Sequence, residues 1–285
     1  MQIYMHIPFC VKKCLYCDFL SGPQNQETIE LYVDSLCREI ATYPVSHANR
    51  TKDKVSTIFV GGGTPSILSG EQIKRIFDAL YAHFDMEEDA EVTIEVNPGT
   101  VTREKLEAYR ACNINRISFG LQSANNEELK LLGRIHNFET FVENFRLARA
   151  CGFENINVDL MSAIPNQTLQ SFEETLCKVL ALKPEHISAY SLIVEEGTPF
   201  AYLYGEGCPK EQELPSEDVE REIYYKTEEI LSQAGYHRYE ISNYAKQGME
   251  CKHNVGYWDR KEYIGFGLGA SGLVNETRLR NTDYL

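Results

Sequence analysis

"QIYMHIPFCVKKCLYCDF" (residues 2–19) reads as a short strand that runs into a loop bearing three cysteines, Cys10, Cys14 and Cys17. Residues 2–7 are rich in apolar and aromatic side chains, and Pro8 punctuates their end. An iron–sulfur cluster is ordinarily held by four thiolates. Structural zinc prefers paired cysteines and a closed set of four ligands. Three thiolates at CxxxCxxC spacing would leave one iron of a 4Fe–4S cube without a protein ligand, open to a substrate or cofactor. Alternatively, His6 or His253 completes a Cys3His zinc site. The spacing leaves both readings open.

Moving outward, the strand–loop–helix unit recurs. Strands are predicted at 2–7, 55–60, 91–96, 116–121, 155–161 and 186–192, each mostly apolar on both faces, as a covered parallel sheet requires. Between them, apolar positions recur at three and four residues over 28–43, 69–84, 102–112, 138–152 and 169–182. Asn25 or Thr28, Ser69 and Thr102 are the expected helix caps. Six such units fit a doubly wound open sheet or a partial parallel barrel. The placement of "PFC", "GGGTP", "NPGT", Gln122, Asp159 and "SLIVEEGTP" just after strands favours the barrel, whose chemistry gathers at the C-terminal strand ends. The fold class is therefore α/β, a partial (β/α)6 barrel over residues 1–195. Residues 196–285 form an α+β extension, with a loop, a helix at 217–234 and a strand in "GYHRYEISNYA".

The 285 residues carry a formal charge of -14, which argues against a nucleic-acid partner. No signal peptide and no run of roughly 20 apolar residues is present. With nine cysteines, an odd number, the expectation is a cytoplasmic, reducing setting and metal or redox chemistry rather than disulfides. Most of the six cysteines outside the loop read as packed side chains.

"FVGGGTPS" (59–66) ends the second strand. By itself it is a tight strand–helix turn or a loop that lets backbone approach a ligand; no Walker lysine follows. "GLGASG" (267–272) fits a dinucleotide fingerprint literally, but it opens no helix within a strand–helix–strand unit and reads as close packing.

The cysteine loop, with Tyr16 just before the last cysteine, resembles the radical S-adenosylmethionine (SAM) superfamily. "EVNPGT", "RISFGLQS", "LGRIHN" and "NVDLMSAIPNQT" follow in order and narrow the resemblance to the oxygen-independent coproporphyrinogen III oxidase group and its HemW heme chaperone branch. The oxidase pattern has another cysteine where this chain has Phe19, and "HNVGYW" (253–258) resembles the HNxxYW motif of the chaperone branch. Members continue beyond this length with a mostly helical region, so the chain is expected to be truncated or a short variant.

The resemblance implies a 4Fe–4S cluster on Cys10, Cys14 and Cys17, whose open iron chelates the amino and carboxylate groups of SAM. Reduction of such a cluster cleaves SAM to methionine and a 5′-deoxyadenosyl radical. Gly62, Gly63 and Thr64 would contact the SAM amino group, and Tyr4 and Glu95 would contact SAM. Gln122, Arg134 and Asp159 would line the SAM site or a neighbouring one. His253 is the expected heme ligand, with Cys251 a second candidate, and Tyr257 and Trp258 could stack on a porphyrin. No catalytic residue is assigned. The implied function is heme binding and transfer to apo-hemoproteins such as respiratory-chain components, with an electron donor serving the cluster. Coproporphyrinogen decarboxylation, another radical SAM reaction and a zinc-binding structural protein are the rivals.

Overall fold

All six expected strands form, and they pair in parallel in chain order. The computed structural model describes residues 1–46 and 54–284. Its first part runs β1 (Gln2–Ile7), α1 (Gln26–Ser46), β2 (Val55–Gly62), α2 (Gly70–His83), β3 (Met86–Val96) and α3 (Arg103–Ala111). It continues through β4 (Arg116–Gln122), α4 (Asn126–Leu131), α5 (Phe138–Ala150), β5 (Asn155–Ser162), α6 (Leu169–Leu180) and β6 (His186–Ser191). The expected caps are in place. The side chain of Asn25 accepts from the Thr28 N–H at 2.8 Å. Ser69 forms a reciprocal capping box with Gln72, and Thr102 accepts from Lys105.

The strands are not apolar on both faces, as the sequence suggested. Alternate residues divide sharply. Ile3, Met5, Ile58, Val60, Ile94, Ile117, Phe119, Val158 and Ile187 turn outward into one core with the helices. The inward positions are polar, among them Thr57, Glu91, Glu95, Arg116, Ser118, Asn157 and Asp159. A barrel lined this way is a polar chamber with an apolar jacket. Buried polar residues on a strand carry no signal in the sequence until their partners are known.

The later residues supply α7 (Pro199–Tyr204), α8 (Glu217–Gln233), β7 (His237–Arg238), β8 (Asn243–Ala245) and α9 (Lys252–Trp258), then β9 (Tyr263–Phe266), β10 (Ser271–Val274) and β11 (Thr277–Arg280). The strand expected in 235–245 is two strands, β7 and β8, paired antiparallel across a turn in which the Glu240 side chain accepts from the Ser242 N–H at 2.9 Å. These residues continue the same sheet, whose order is β11-β10-β9-β1-β2-β3-β4-β5-β6-β8-β7. Helices α7 and α8 follow β6 past residue 195, and Tyr236, Tyr244, Ile264 and Phe266 share the barrel's core. The sheet stays open between its outer edges, and α9 packs against β2.

Gly267 and Gly269 of "GLGASG" form the turn from β9 to β10, and Gly272 lies in β10. Gly267 has φ +91°, and a Cβ there would lie 2.2 Å from the Tyr32 hydroxyl oxygen, so close packing does explain the motif. Among the described residues, no helix is long and apolar enough to cross a membrane.

Candidate functional site

The cysteine loop is pinned at both ends by backbone. The Cys10 N–H donates to Gly22 O at 3.0 Å, the Gly22 N–H to Pro8 O at 3.1 Å, and the Leu15 N–H to Leu132 O at 3.1 Å. Beside it, "GGGTP" locks onto the same strand end. The Gly63 N–H donates to Ile7 O at 2.9 Å and the Thr64 N–H to Phe9 O at 2.7 Å. A Cβ on Gly63 would sit 2.6 Å from the Phe9 carbonyl oxygen, so only glycine permits this approach. The Gly62 N–H donates to Glu95 Oε2 at 3.1 Å. With these N–H groups engaged, the carbonyls are what the loop can offer a ligand, and a ligand ammonium is a donor that suits them.

A cavity of about 360 Å³ opens above this junction. It gathers the three cysteines with Tyr16, Gly62, Gly63 and Thr64, and with Glu95, Gln122, Arg134 and Asp159. Thr64 Oγ1 donates to Cys10 Sγ at 3.5 Å. The Arg134 guanidinium donates to Cys14 Sγ at 3.4 Å, and also to Asn97 Oδ1 and Gly120 O, while among the described residues its buried Nε has no partner. Gln122 takes a positive φ of 76° at the end of β4, an uncommon backbone state that aims a residue at a site. Its side-chain oxygen accepts from the Tyr190 hydroxyl at 2.9 Å. Burial, then the charge of Asp159, pushes Glu95 up to about 8. Burial also raises Asp159, against hydrogen bonds from Asn157 and Ser118 at 2.7 and 3.1 Å.

Sequence reasoning assigned no role to Asn97 or Tyr190. Asn97 lies inside the quoted "NPGT", and Tyr190 lies at the end of a predicted strand; being at a strand end was the available signal. Tyr4 does not line this cavity. Its hydroxyl hydrogen-bonds His6 Nδ1 at 3.0 Å, and its ring stacks on Phe59 and faces a neighbouring cleft.

The thiols fit a cluster better than a single zinc ion. Neither expected fourth zinc ligand turns to the loop. The second ring nitrogen of His6 bonds Leu20 O at 2.9 Å, and His253 lies at the other end of the barrel. The unpaired Arg134 Nε beside Cys14 is the kind of orphaned donor that an anionic ligand group satisfies.

At the barrel's base, α9 is held from within. Glu91 Oε2 accepts from the Lys252 N–H at 3.0 Å, and Oε1 accepts from the His253 N–H at 3.1 Å and the Cys251 thiol at 3.4 Å. Gln2 Nε2 donates to the carbonyls of Lys252 and His253 at 3.3 and 3.2 Å. His253 is 1% exposed, with Nδ1 on Thr57 Oγ1 at 2.7 Å and Nε2 on the Tyr257 hydroxyl at 2.9 Å. Both ring nitrogens are occupied, so a heme-ligand role would require one of these bonds to be given up. Cys251 is fully buried. Tyr257 reaches a surface cleft, whereas Trp258 is exposed outside it.

A parallel barrel with three thiolates on its first strand–helix loop and polar groups around one mouth defines a radical SAM protein, and the Radical SAM superfamily pattern matches residues 4–178. The heme chaperone HemW of Lactococcus lactis subsp. lactis is 39% identical over 98% of this chain and 71% of that protein. Its counterpart in Escherichia coli is 40% identical over 96% of this chain and 70% of that protein. The solved coproporphyrinogen III oxidase (HemN) from Escherichia coli superposes with a TM-score of 0.85 at 28% identity, over 99% of this chain and 67% of that one. The chain belongs to the HemW family within the radical SAM superfamily.

Proposed function

We propose that the chain is a heme chaperone, which binds heme and passes it to apo-hemoproteins. In this reading Cys10, Cys14 and Cys17 hold a 4Fe–4S cluster, and SAM occupies the adjoining cavity. That centre supplies one-electron chemistry when it is loaded and reduced, which calls for a protein electron donor. Carbonyls of the Gly62–Thr64 loop receive the SAM ammonium, Arg134 pairs an anionic group, and Glu95 and Asp159 accept from hydroxyls. Gln122 and Tyr16 flank the ligand.

The observation that carries the reading is identity of 39–40% over nearly the whole chain to proteins named heme chaperone. Phe19, 67% exposed where the oxidase group has another cysteine, supports it. The test is anaerobic cluster reconstitution followed by heme titration and mixing with an apo-cytochrome. A Soret band that moves from the chaperone to the cytochrome is expected. A reconstituted, folded protein that takes up no heme overturns the reading. The likeness to the oxidase fold favours one rival, which anaerobic conversion of coproporphyrinogen III would reinstate.

A further inference from the structure

A second opening lies beside the cysteine loop, where the sheet turns from β1 to β9. Its volume is about 750 Å³, within the roughly 300–1,000 Å³ range of small-molecule sites. Two surfaces of opposite character adjoin in it, with Tyr263 standing beside Leu273 in the strand pairing. One is aromatic, made by Tyr4, Tyr257 and Tyr263, with Phe19 and Leu20 from the cysteine loop at the rim. Tyr257 and Tyr263 meet edge to face at 4.7 Å, and the bond from His253 fixes the Tyr257 hydroxyl. The other is the β10–β11 hairpin. Its pairing puts Ser271 opposite Arg280 and Leu273 opposite Arg278, so these four share one face, and all four line the cleft.

The charge there runs against the rest of the molecule. Arg260, Arg278 and Arg280 line the cleft against one carboxylate, Asp18, in a chain of net charge -14. Arg260 pairs with Glu276 and Arg280 with Asp283, but these are exposed pairs with little to lose on exchange. Among the described residues, Arg278 has no carboxylate within ion-pairing distance. Three guanidiniums on one rim of an aromatic slot suit a flat apolar ring that bears carboxylates at one edge. They suit a phosphate less well, since no helix N-terminus is among the lining residues and much of the remaining wall is aromatic.

We infer that this side cleft is where heme sits: the tetrapyrrole lies against Tyr257 and Tyr263, and its two propionates pair with Arg278 and Arg280. The inference rests on the heme-chaperone reading. It also gives the HNxxYW segment a physical part. His253 stays buried as a positioning residue, and Tyr257 is the member that touches the cargo. The cargo is thereby seated next to the cysteine loop, whose Asp18, Phe19 and Leu20 form one lip of the cleft.

The experiment is an equilibrium titration, read from the Soret band, of hemin and of hemin dimethyl ester into the reconstituted full chain, its Arg278→Glu/Arg280→Glu variant and its Arg278→Gln variant. Circular dichroism and the cluster spectrum report whether each variant is folded and loaded. Wild type is expected to bind hemin about tenfold or more tighter than the ester, because only the free propionates form charge-assisted bonds. The double variant is expected to lose that preference while keeping its affinity for the ester. Arg278→Gln is expected to fall between them, and it serves alone if the double variant misfolds. Unchanged hemin affinity in the folded variants places heme elsewhere and overturns the cleft assignment while leaving the chaperone reading intact. Equal binding of hemin and ester by wild type overturns the propionate pairing. Wild type that binds neither overturns the chaperone reading and this inference with it.

Discussion

Two glutamates on one strand, four residues apart and facing the same chamber, have opposite situations. Glu91, near the base, is used up. Both of its oxygens accept backbone N–H groups of α9, and one also accepts the Cys251 thiol. Glu95, near the mouth, accepts one backbone N–H, from Gly62, and otherwise faces the cavity beside the cysteines. Its burial without a cation in contact raises its affinity for a proton. The base of the barrel is thus closed by the chain's own helix, and the mouth is left for a ligand. Polar residues inside a barrel do not mark a site. Polar residues there with bonds still to make do.

If that contrast is right, changes at the mouth remove ligands and spare the fold, while changes at the base do the reverse. The largest effect is expected for Cys14→Ala. Iron content and the charge-transfer absorption should fall to background after reconstitution, with stability of the cluster-free protein within about 0.5 kcal/mol of wild type, as for a partly exposed side chain. A variant that still assembles a full cluster would mean that the loop is not the cluster's support. Glu91→Ala comes next. It strands two backbone donors beside the buried Arg116, and should cost about 3 kcal/mol in chemical denaturation without preventing cluster assembly. A loss below about 0.5 kcal/mol would show that α9 does not depend on this internal cap.

The outer barrel was legible because its signals are local. β-Branched runs, helical spacing and side-chain caps each lie within a few residues, and the six strands appear where those signals put them. The thiols of Cys10, Cys14 and Cys17 were legible for the same reason, being close in sequence. The inner wall was not. Arg116, Asn157 and His186 interrupt apolar strands, and what makes them tolerable is distant: His186 Nδ1 sits 2.6 Å from Asn157 Oδ1, and its Nε2 is 2.7 Å from the hydroxyl of Tyr239. Likewise α9 is seven residues long, too short to show periodicity, and it is held by Gln2 and Glu91 from far up the chain. Glu95, Gln122, Arg134 and Asp159, which line one cavity, were proposed only by family resemblance, since no spacing rule joins residues on four different segments. Tyr4, expected at SAM by the same route, lines the side cleft rather than the cavity at the cysteines.

Two smaller effects sharpen the comparison. Glu95→Gln keeps shape and hydrogen bonding but cannot ionise. In the ligand-free wild type, Glu95 holds its proton up to about pH 8, whereas the unfolded chain releases it near the ordinary value of 4.5. Between those limits the native state binds more protons, so stability should fall as pH rises through this window and level off above it. In the glutamine variant most of that fall should vanish, leaving the part due to Asp159, whose folded value is also raised. Denaturation midpoints measured across the window decide it, and an unchanged slope would mean that Glu95 is ionised in the empty site. SAM affinity should weaken in the same variant if the carboxylate receives ligand hydroxyls.

Thr57→Val is the gentlest probe. It removes the partner of His253 Nδ1 inside the base and adds no charge. The expected cost is about 1 kcal/mol, the usual worth of one buried hydrogen bond. Because His253 holds the Tyr257 hydroxyl through its other nitrogen, loosening the ring should also blunt heme binding slightly while cluster and SAM stay as they were. A change in SAM affinity instead would mean that base and mouth are coupled through the chamber, and the division between the two glutamates would have to be redrawn.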